Sequence, residues 1–253
     1  MRERLRVGIA GYGVVGQRRR QVIDRHPGLE TVAVCDRRLE DEGVFADGVR
    51  HYAHYQRMLA AEDLDLLLVC LTNDIAAEVT VAGLDRGLHV FCEKPPGRDL
   101  ADIARVIACE RRHPGLRLKY GFNHRYHESV RDALALVASG ELGRVMNLRG
   151  IYGKSTIIDF RSPDHWRTRR AIAGGGILLD QGIHMVDLIR LFGGEFDEIH
   201  AFVSNDFWGH DVEDNAFAMM RSSAGVVAML HSSATQWRHR FSLEITLSRG
   251  MIG

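Results

Sequence analysis

The stretch Leu5-Arg6-Val7-Gly8-Ile9-Ala10-Gly11-Tyr12-Gly13-Val14-Val15-Gly16 decides the fold. A short apolar run reads as a strand, and it leads directly into G-x-G-x-x-G at the opening of a helix. In that setting each glycine has its own task. Gly11 allows the tight turn, Gly13 lets the backbone approach a pyrophosphate, and Gly16 permits close packing of helix on strand, with phosphates at the positive helix end. Tyr12, Val14 and Val15 complete the loop. The motif alone is common; its support is Asp36, which ends a second strand-like run (Thr31-Val-Ala-Val-Cys-Asp) 20 residues after Gly16. A carboxylate there accepts hydrogen bonds from an adenosine ribose. A glycine-rich turn and an unrelated aspartate would look alike, but the spacing favours a dinucleotide. Asp36 repels a 2′-phosphate and favours NAD, whereas Arg37 and Arg38 could neutralise one and keep NADP open.

Working outward, strand-like runs near 5–10, 31–35, 49–51, 65–71, 88–92 and 116–120 alternate with helical patterns near 74–86 and 99–112. That alternation is the signature of βαβ units on a parallel sheet. The second helix places Leu100, Ile103, Ala104 and Ile107 on one face, with Asp99 positioned to cap it. A further helix over 127–139 carries Val130, Leu134 and Val137 and has Gly140 just past its end. From about 144 the pattern changes to strands near 144–153, 197–204, 214–221, 226–232 and 240–247. Phe241, Leu243, Ile245 and Leu247 alternate with Ser242, Glu244 and Thr246, as in an antiparallel sheet with two unlike faces. The halves divide into 1–121 and 122–253, and 154–176 reads as a long loop.

The 33 basic and 33 acidic residues cancel, so no long-range field gathers nucleic acid or an anionic membrane. No run approaches the length of a membrane span, and the glycines of the N-terminal run break any likeness to a signal peptide. A cytoplasmic protein without a nucleic-acid or membrane partner is expected. Four cysteines form no Cys-x-x-Cys pair, so reduced, packed thiols are expected rather than redox or metal ligands. Of the basic residues only Lys94, Lys119 and Lys154 are lysines. An arginine-rich chain keeps lysine where a compact ammonium of tunable pKa is needed, which draws attention to Lys94.

Glu93-Lys94-Pro95-Pro96 follows the run Leu88-His-Val-Phe-Cys92. In an open parallel sheet, residues just past a strand's carboxyl end face the ligand crevice. A lysine there can stabilise an alkoxide that develops as hydride leaves, although a loop lysine paired with Glu93 is the alternative. The segment Gly174-Gly-Gly-Ile-Leu-Leu-Asp180-Gln-Gly-Ile-His184-Met-Val-Asp187 continues to Phe192 as an apolar helix over 177–192. Its polar residues Asp180, His184 and Asp187 fall on one stripe. Buried polar groups need partners, and an aspartate one turn before a histidine can orient the imidazole or share its proton. An internal hydrogen-bonded pair is the structural alternative; a metal site lacks a third ligand.

In this order and spacing, the glycine loop, Asp36, Glu93-Lys94-Pro95 and Gly174-Gly-Gly-x-x-x-Asp180-x-Gly-x-His184-x-x-Asp187 resemble the Gfo/Idh/MocA family of NAD(P)-dependent oxidoreductases. The resemblance implies a doubly wound Rossmann domain followed by an α+β domain with a mostly antiparallel open sheet used for substrate binding and oligomerisation. It implies a homo-oligomer, dimer or tetramer, built through that sheet. It places Lys94, Asp180 and His184 in catalytic positions: His184 takes a hydroxyl proton, Lys94 polarises the same oxygen and Asp180 supports them. Leu71, Thr72 and Asn73 would meet the cofactor with Glu93 and Lys94. Here the chain departs from many relatives, which carry a Thr-Pro-Asn-like turn and a later histidine where this chain has Thr72 and Ala76.

Asn123, Arg125 and Tyr152 fall where relatives line a sugar pocket. The loop Arg161-Ser-Pro-Asp-His-Trp166-Arg167-Thr-Arg169-Arg170 could grip a carboxylate or diphosphate while Trp166 stacks on a sugar, or be a solvated basic loop. A sugar, sugar acid, nucleotide sugar or cyclitol is the implied substrate class, with a likeness to surface-polysaccharide and nucleotide-sugar members. A catalytically silent dinucleotide-binding regulator is the alternative. The chain also reads as shortened, stopping in a turn after a strand whose partner has not appeared.

Overall fold

The computed structural model describes residues 3–39, 42–155 and 165–253. The chain divides into two compact units, Met1–Gly121 and Phe122–Gly253.

The first unit runs β1 (Leu5–Ala10), α1 (Val14–Ile23), β2 (Leu29–Cys35), β3 (Gly43–Val44), β4 (Arg50–Tyr52), α2 (Tyr55–Ala61), β5 (Leu66–Val69), α3 (Asn73–Asp85), β6 (His89–Cys92), α4 (Leu100–Arg112) and β7 (Leu118–Tyr120). Its seven strands lie in the order β3-β4-β2-β1-β5-β6-β7. All neighbours are parallel except the edge pair β3–β4. The central strand is buried from Val7 to Ala10, which is why it reads as a continuous apolar run: both faces are covered. From β1 the chain steps outward through β2 to β4, then returns to lay β5 on the other side of β1. The order therefore reverses between β1 and β5, a topological switch point where ligands bind beyond the carboxyl ends of the strands.

Two expectations for this unit need correction. The short elements β3 and α2 carry too few residues to show a period and were not foreseen. The inward face of α4 is Asp102, Val106 and Cys109, whereas Leu100 is 87% exposed and Ile107 40%. The apolar periodicity misled because an aspartate takes a core-facing position. Asp102 accepts from Arg98 and Arg105 and from the main-chain N–H of Arg98, so its charge is satisfied in place. Asp99 caps the helix as expected, accepting from the N–H of Asp102 at 2.9 Å.

The second unit runs α5 (Glu128–Ser139), β8 (Val145–Gly153), α6 (Arg170–Ala173), a π turn over Leu178–Gly182, α7 (Ile183–Gly193), β9 (Glu198–Ser204), β10 (Asn215–Arg221), β11 (Val227–Ser233), β12 (Arg240–Leu247) and β13 (Gly250–Ile252). Gly140 ends α5 at φ +72°, in the left-handed region that a terminating glycine occupies without strain. The six-stranded sheet has the order β13-β12-β8-β11-β10-β9 and is antiparallel apart from β8–β11. Helices α5 and α7 cover one face, where Val130, Met185, Leu188 and Ile189 pack on Leu148, Ala228, Leu230 and Ile245. The other face shows Phe202, Phe217, Met219 and Met229.

Three readings change here. The long loop contains a 3-10 turn over Trp166–Thr168 and helix α6; Arg161 to Asp164 lie outside the described residues. The polar-striped helix is a π turn leading into α7 rather than one regular α-helix. The last long strand does have partners: β12 pairs with β8 along its length, and β13 turns back onto it. By length and apolar composition Arg170–Gly193 could cross a membrane. Within the unit it supplies core residues and is interrupted at Gly174, whose φ is +81°.

Candidate active site

The chemistry-bearing residues fall into two groups, one in each unit. In the first, the glycine loop joins β1 to α1 at the switch point. A Cβ on Gly11, which sits at φ +93°, would lie 2.3 Å from the Cys70 carbonyl oxygen, and one on Gly16 would lie 2.0 Å from that of Gly11. Main chain thus packs on main chain at both positions, and no larger residue fits. Gly13 differs: a Cβ there would meet only the Arg38 guanidinium, at 3.7 Å. It caps α1 without a side-chain hydrogen bond, and the first turn of α1 carries no acidic residue. Val14 is 67% exposed. The helix start therefore presents its N–H groups and positive dipole end to open space, the arrangement that accepts a pyrophosphate.

Asp36 lies just past β2. Its carboxylate accepts from the Tyr12 N–H at 3.0 Å and from the main chain and guanidinium of Arg38. Although partial burial opposes ionisation, the Arg38 contacts and the Tyr12 N–H leave its carboxyl below the usual carboxylate range, so it is a fixed anion at the edge of the crevice. Arg37 is exposed. The Tyr12 hydroxyl accepts from Arg20 at 2.9 Å. Leu71 and Thr72 are half-buried after β5, and Asn73, buried, opens α3.

Glu93 and Lys94 follow β6 and are half-buried, with a cis peptide between Lys94 and Pro95. Glu93 pairs with Arg19 of α1 at 2.5 Å, and Arg19 also lies over the Phe91 ring. Arg19 was not foreseen in this role. A signal existed, since it stands one turn after Gly16, on the helix that the motif aims across the strand ends.

In the second unit Asp180, His184 and Asp187 are all buried. The Asp180 carboxylate accepts from Gln181 at 2.8 Å and from Arg167 at 3.3 Å. Arg167 also lies 4.2 Å from the Trp166 ring centroid, and His165 stacks on that ring. The His184 ring sits 4.0 Å, centroid to centroid, from His124, with Phe122 edge-on to it at 6.1 Å and Tyr152 tilted against it at 6.5 Å. Burial, then the Asp180 charge, pushes the Tyr152 hydroxyl up. Tyr152 meets Phe241 edge-on and Lys154 lies over its ring. Arg125 makes a two-pronged pair with Asp187, which ties the turn Asn123–Tyr126 to α7, while Asn123 is exposed. Glu213 closes the Gly174–Gly176 turn: its carbonyl accepts from Ile177 and its carboxylate from Leu178.

The chain thus combines a doubly wound sheet with a glycine loop at its switch point and, in the second unit, an open sheet with helices on one face. Residues 5–122 match the family model for the oxidoreductase family with an NAD-binding Rossmann fold, and residues 130–253 match the GFO/IDH/MocA C-terminal domain. The chain belongs to the Gfo/Idh/MocA family. It is 30% identical over 165 residues to inositol 2-dehydrogenase of Salmonella typhimurium, covering 63% of this chain and 49% of that one. It is 32% identical over 200 residues to D-glucoside 3-dehydrogenase of Escherichia coli, covering 72% and 52%. The chain thus spans about half the length of these curated relatives. Among solved structures, myo-inositol 2-dehydrogenase of Lactobacillus plantarum superposes with a TM-score of 0.82 at 26% identity, covering 98% of this chain and 76% of that one. The WlbA dehydrogenase of Bordetella pertussis, solved with NADH and UDP-GlcNAcA, shares the fold with a TM-score of 0.88 at 20% identity, covering 98% and 73%.

Proposed function

We propose that this chain carries the reaction machinery of an NAD(P)-dependent dehydrogenase acting on a secondary alcohol, or the matching ketone, of a sugar, sugar acid, nucleotide sugar or cyclitol. The observation that carries the reading is the open start of α1 at the β1/β5 switch point, where Gly11 and Gly16 are locked on main chain and Gly13 is left clear. These residues fit a dinucleotide. When bound, the nicotinamide would accept or donate the hydride.

The chain's own residues do the rest. The loop Gly11–Gly16 binds pyrophosphate through N–H groups, and Asp36 fixes the adenosine ribose, favouring NAD while its pair with Arg38 keeps NADP within reach. Leu71, Thr72 and Asn73 border the crevice beyond β5. Lys94 donates to the reacting oxygen and stabilises negative charge on it. His184 takes the hydroxyl proton on oxidation and returns it on reduction. Asp180, held by Gln181 and Arg167, stands four residues before that imidazole and supports it. Tyr152, Trp166 and Arg167 offer ring faces and a cation to a sugar; Asn123 and Arg125 complete the proposed pocket, with Arg125 anchored by Asp187. Residues 1–121 would bind the dinucleotide. Residues 122–253 would bind substrate and, through the open sheet face, a second copy of the chain in a cytoplasmic homo-oligomer.

The test is a screen of purified protein with NAD and NADP against inositols, aldoses, uronic acids, glycosides and nucleotide sugars, read by nicotinamide absorbance. Turnover should appear with one of these classes and fall at least about 100-fold in Lys94→Ala and in His184→Ala. Turnover unchanged in both variants would overturn the mechanism; dinucleotide binding without turnover on any class would point to a silent regulator.

A further inference from the structure

Helices α3 and α4 end side by side, and their last turns bring together three side chains that no part of the proposed reaction uses. Cys109 and His113 stand four residues apart on and just past α4 and so share a face, while Asp85 closes α3. Asp85 Oδ1 lies 3.0 Å from His113 Nε2 and 3.3 Å from Cys109 Sγ, and the three donor atoms all lie within 4.8 Å of one another. Bonds of about 2.0–2.3 Å to a tetrahedral zinc ion place neighbouring donors roughly 3.3–3.7 Å apart. Two edges of the triangle are therefore close to coordination length, and the third closes by a small rotation of His113, whose side chain is 29% exposed.

We propose that Asp85, Cys109 and His113 form a binding site for a borderline-soft divalent cation of the zinc type, with water as the fourth ligand. Thiolate, imidazole and carboxylate together select such an ion over magnesium or calcium. The field agrees with the donor set. Both helices point their carbonyl ends, and so the negative ends of their dipoles, at this place, and the Val81 carbonyl oxygen is 3.9 Å from Cys109 Sγ. One group competes. Arg112 donates to Asp85 Oδ1 at 3.2 Å and to the Ala108 carbonyl; being 57% exposed, it can swing into solvent as a cation enters. Hydrogen bonds through Asp85 already hold the three side chains together, so the site is preorganised. Binding releases the Cys109 thiol proton to solvent and ties α3 to α4. Asp85 lies twelve residues from Asn73, about 18 Å along α3, so the ion would brace the first unit at the end away from the crevice, independently of the dehydrogenase reading.

The experiment is a cobalt(II) titration of the chelator-treated full chain, followed in the visible and near-ultraviolet, with zinc as competitor. One cobalt per chain should produce tetrahedral d–d bands and a thiolate charge-transfer band, both removed by zinc, and zinc should raise Tm. Cys109→Ser should abolish the charge-transfer band. Asp85→Asn and His113→Ala, at partly exposed positions, should fold normally and weaken cobalt binding at least about tenfold. Arg112→Ala should strengthen it several-fold. Absence of any thiolate–cobalt band, or a band undiminished in both Asp85→Asn and His113→Ala, would overturn the proposal.

Discussion

Each unit of this protein starts a helix with a glycine cluster, and the two clusters do opposite things. At Gly11–Gly16 the first and third glycines are pressed against carbonyl oxygens while the second faces open space, so the N–H groups of α1 are left for an anion. At Gly174–Gly176 the helical entry is closed from within. A Cβ on Gly176 would lie 2.0 Å from the Glu213 carbonyl oxygen, and Glu213 takes up the N–H groups of Ile177 and Leu178. A third helix start, that of α4, is also closed, by Asp99 and Asp102. Glycine content alone therefore does not mark an anion site, and neither does a missing cap, since α2, α3 and α5 also start without a side-chain cap; what sets α1 apart is an uncapped start that follows a tight glycine turn at the switch point of a parallel sheet.

The contrast breaks most sharply at the tight glycines. Gly176→Ala and Gly16→Ala each force a methyl group onto a carbonyl oxygen, and each should cost at least about 3 kcal/mol, seen as a large fall in the denaturation midpoint. Gly13→Ala should leave stability within about 0.5 kcal/mol. If all three behaved alike, the distinction between closed and open starts would fail.

The closed start of α4 gives a pH test. The Arg98 side-chain bond above all, then the Arg98 N–H and Arg105, lowers the Asp102 carboxyl to about 2 from 3.8. A folded-state value below the unfolded one means that the stabilisation is complete above 3.8 and is lost as pH falls through about 2. Asp102→Asn should therefore lower stability by about 2 kcal/mol at neutral pH and flatten the acid limb of the stability curve. An unchanged acid limb would show that Asp102 is not held as the geometry implies. Smaller still, Glu213→Gln keeps an acceptor for Leu178 but removes its charge and should cost about 1 kcal/mol, with no effect on dinucleotide affinity.

Much of this was legible in the sequence. The strand–glycine–helix order, the strands on either side of it, the Asp99 cap and the stop at Gly140 all follow from local chemistry, and local chemistry is what a single sequence displays. The inward face of α4 was not legible, because a charged residue, Asp102, takes a buried position there and is satisfied by Arg98 and Arg105. The π turn before His184 was hidden too, since it widens the helix without changing residue type. Partners separated in sequence, such as Arg19 with Glu93 and Asp85 with Cys109 and His113, become visible only when strands and helices are set side by side. The β12 strand has its long partner, β8, far away in sequence, from Arg240 opposite Gly153 to Leu247 opposite Val145, and its short partner, β13, is only three residues long and shows no period of its own.

The open start of α1 is the claim on which the functional reading rests, and NADH titration by calorimetry tests it most directly. The wild-type chain should bind one NADH, and Gly13→Glu, which sets a carboxylate in the space left for pyrophosphate, should abolish binding with Tm unchanged. A wild-type chain that binds neither NADH nor NADPH, or a Gly13→Glu variant that binds as tightly as wild type, would contradict it.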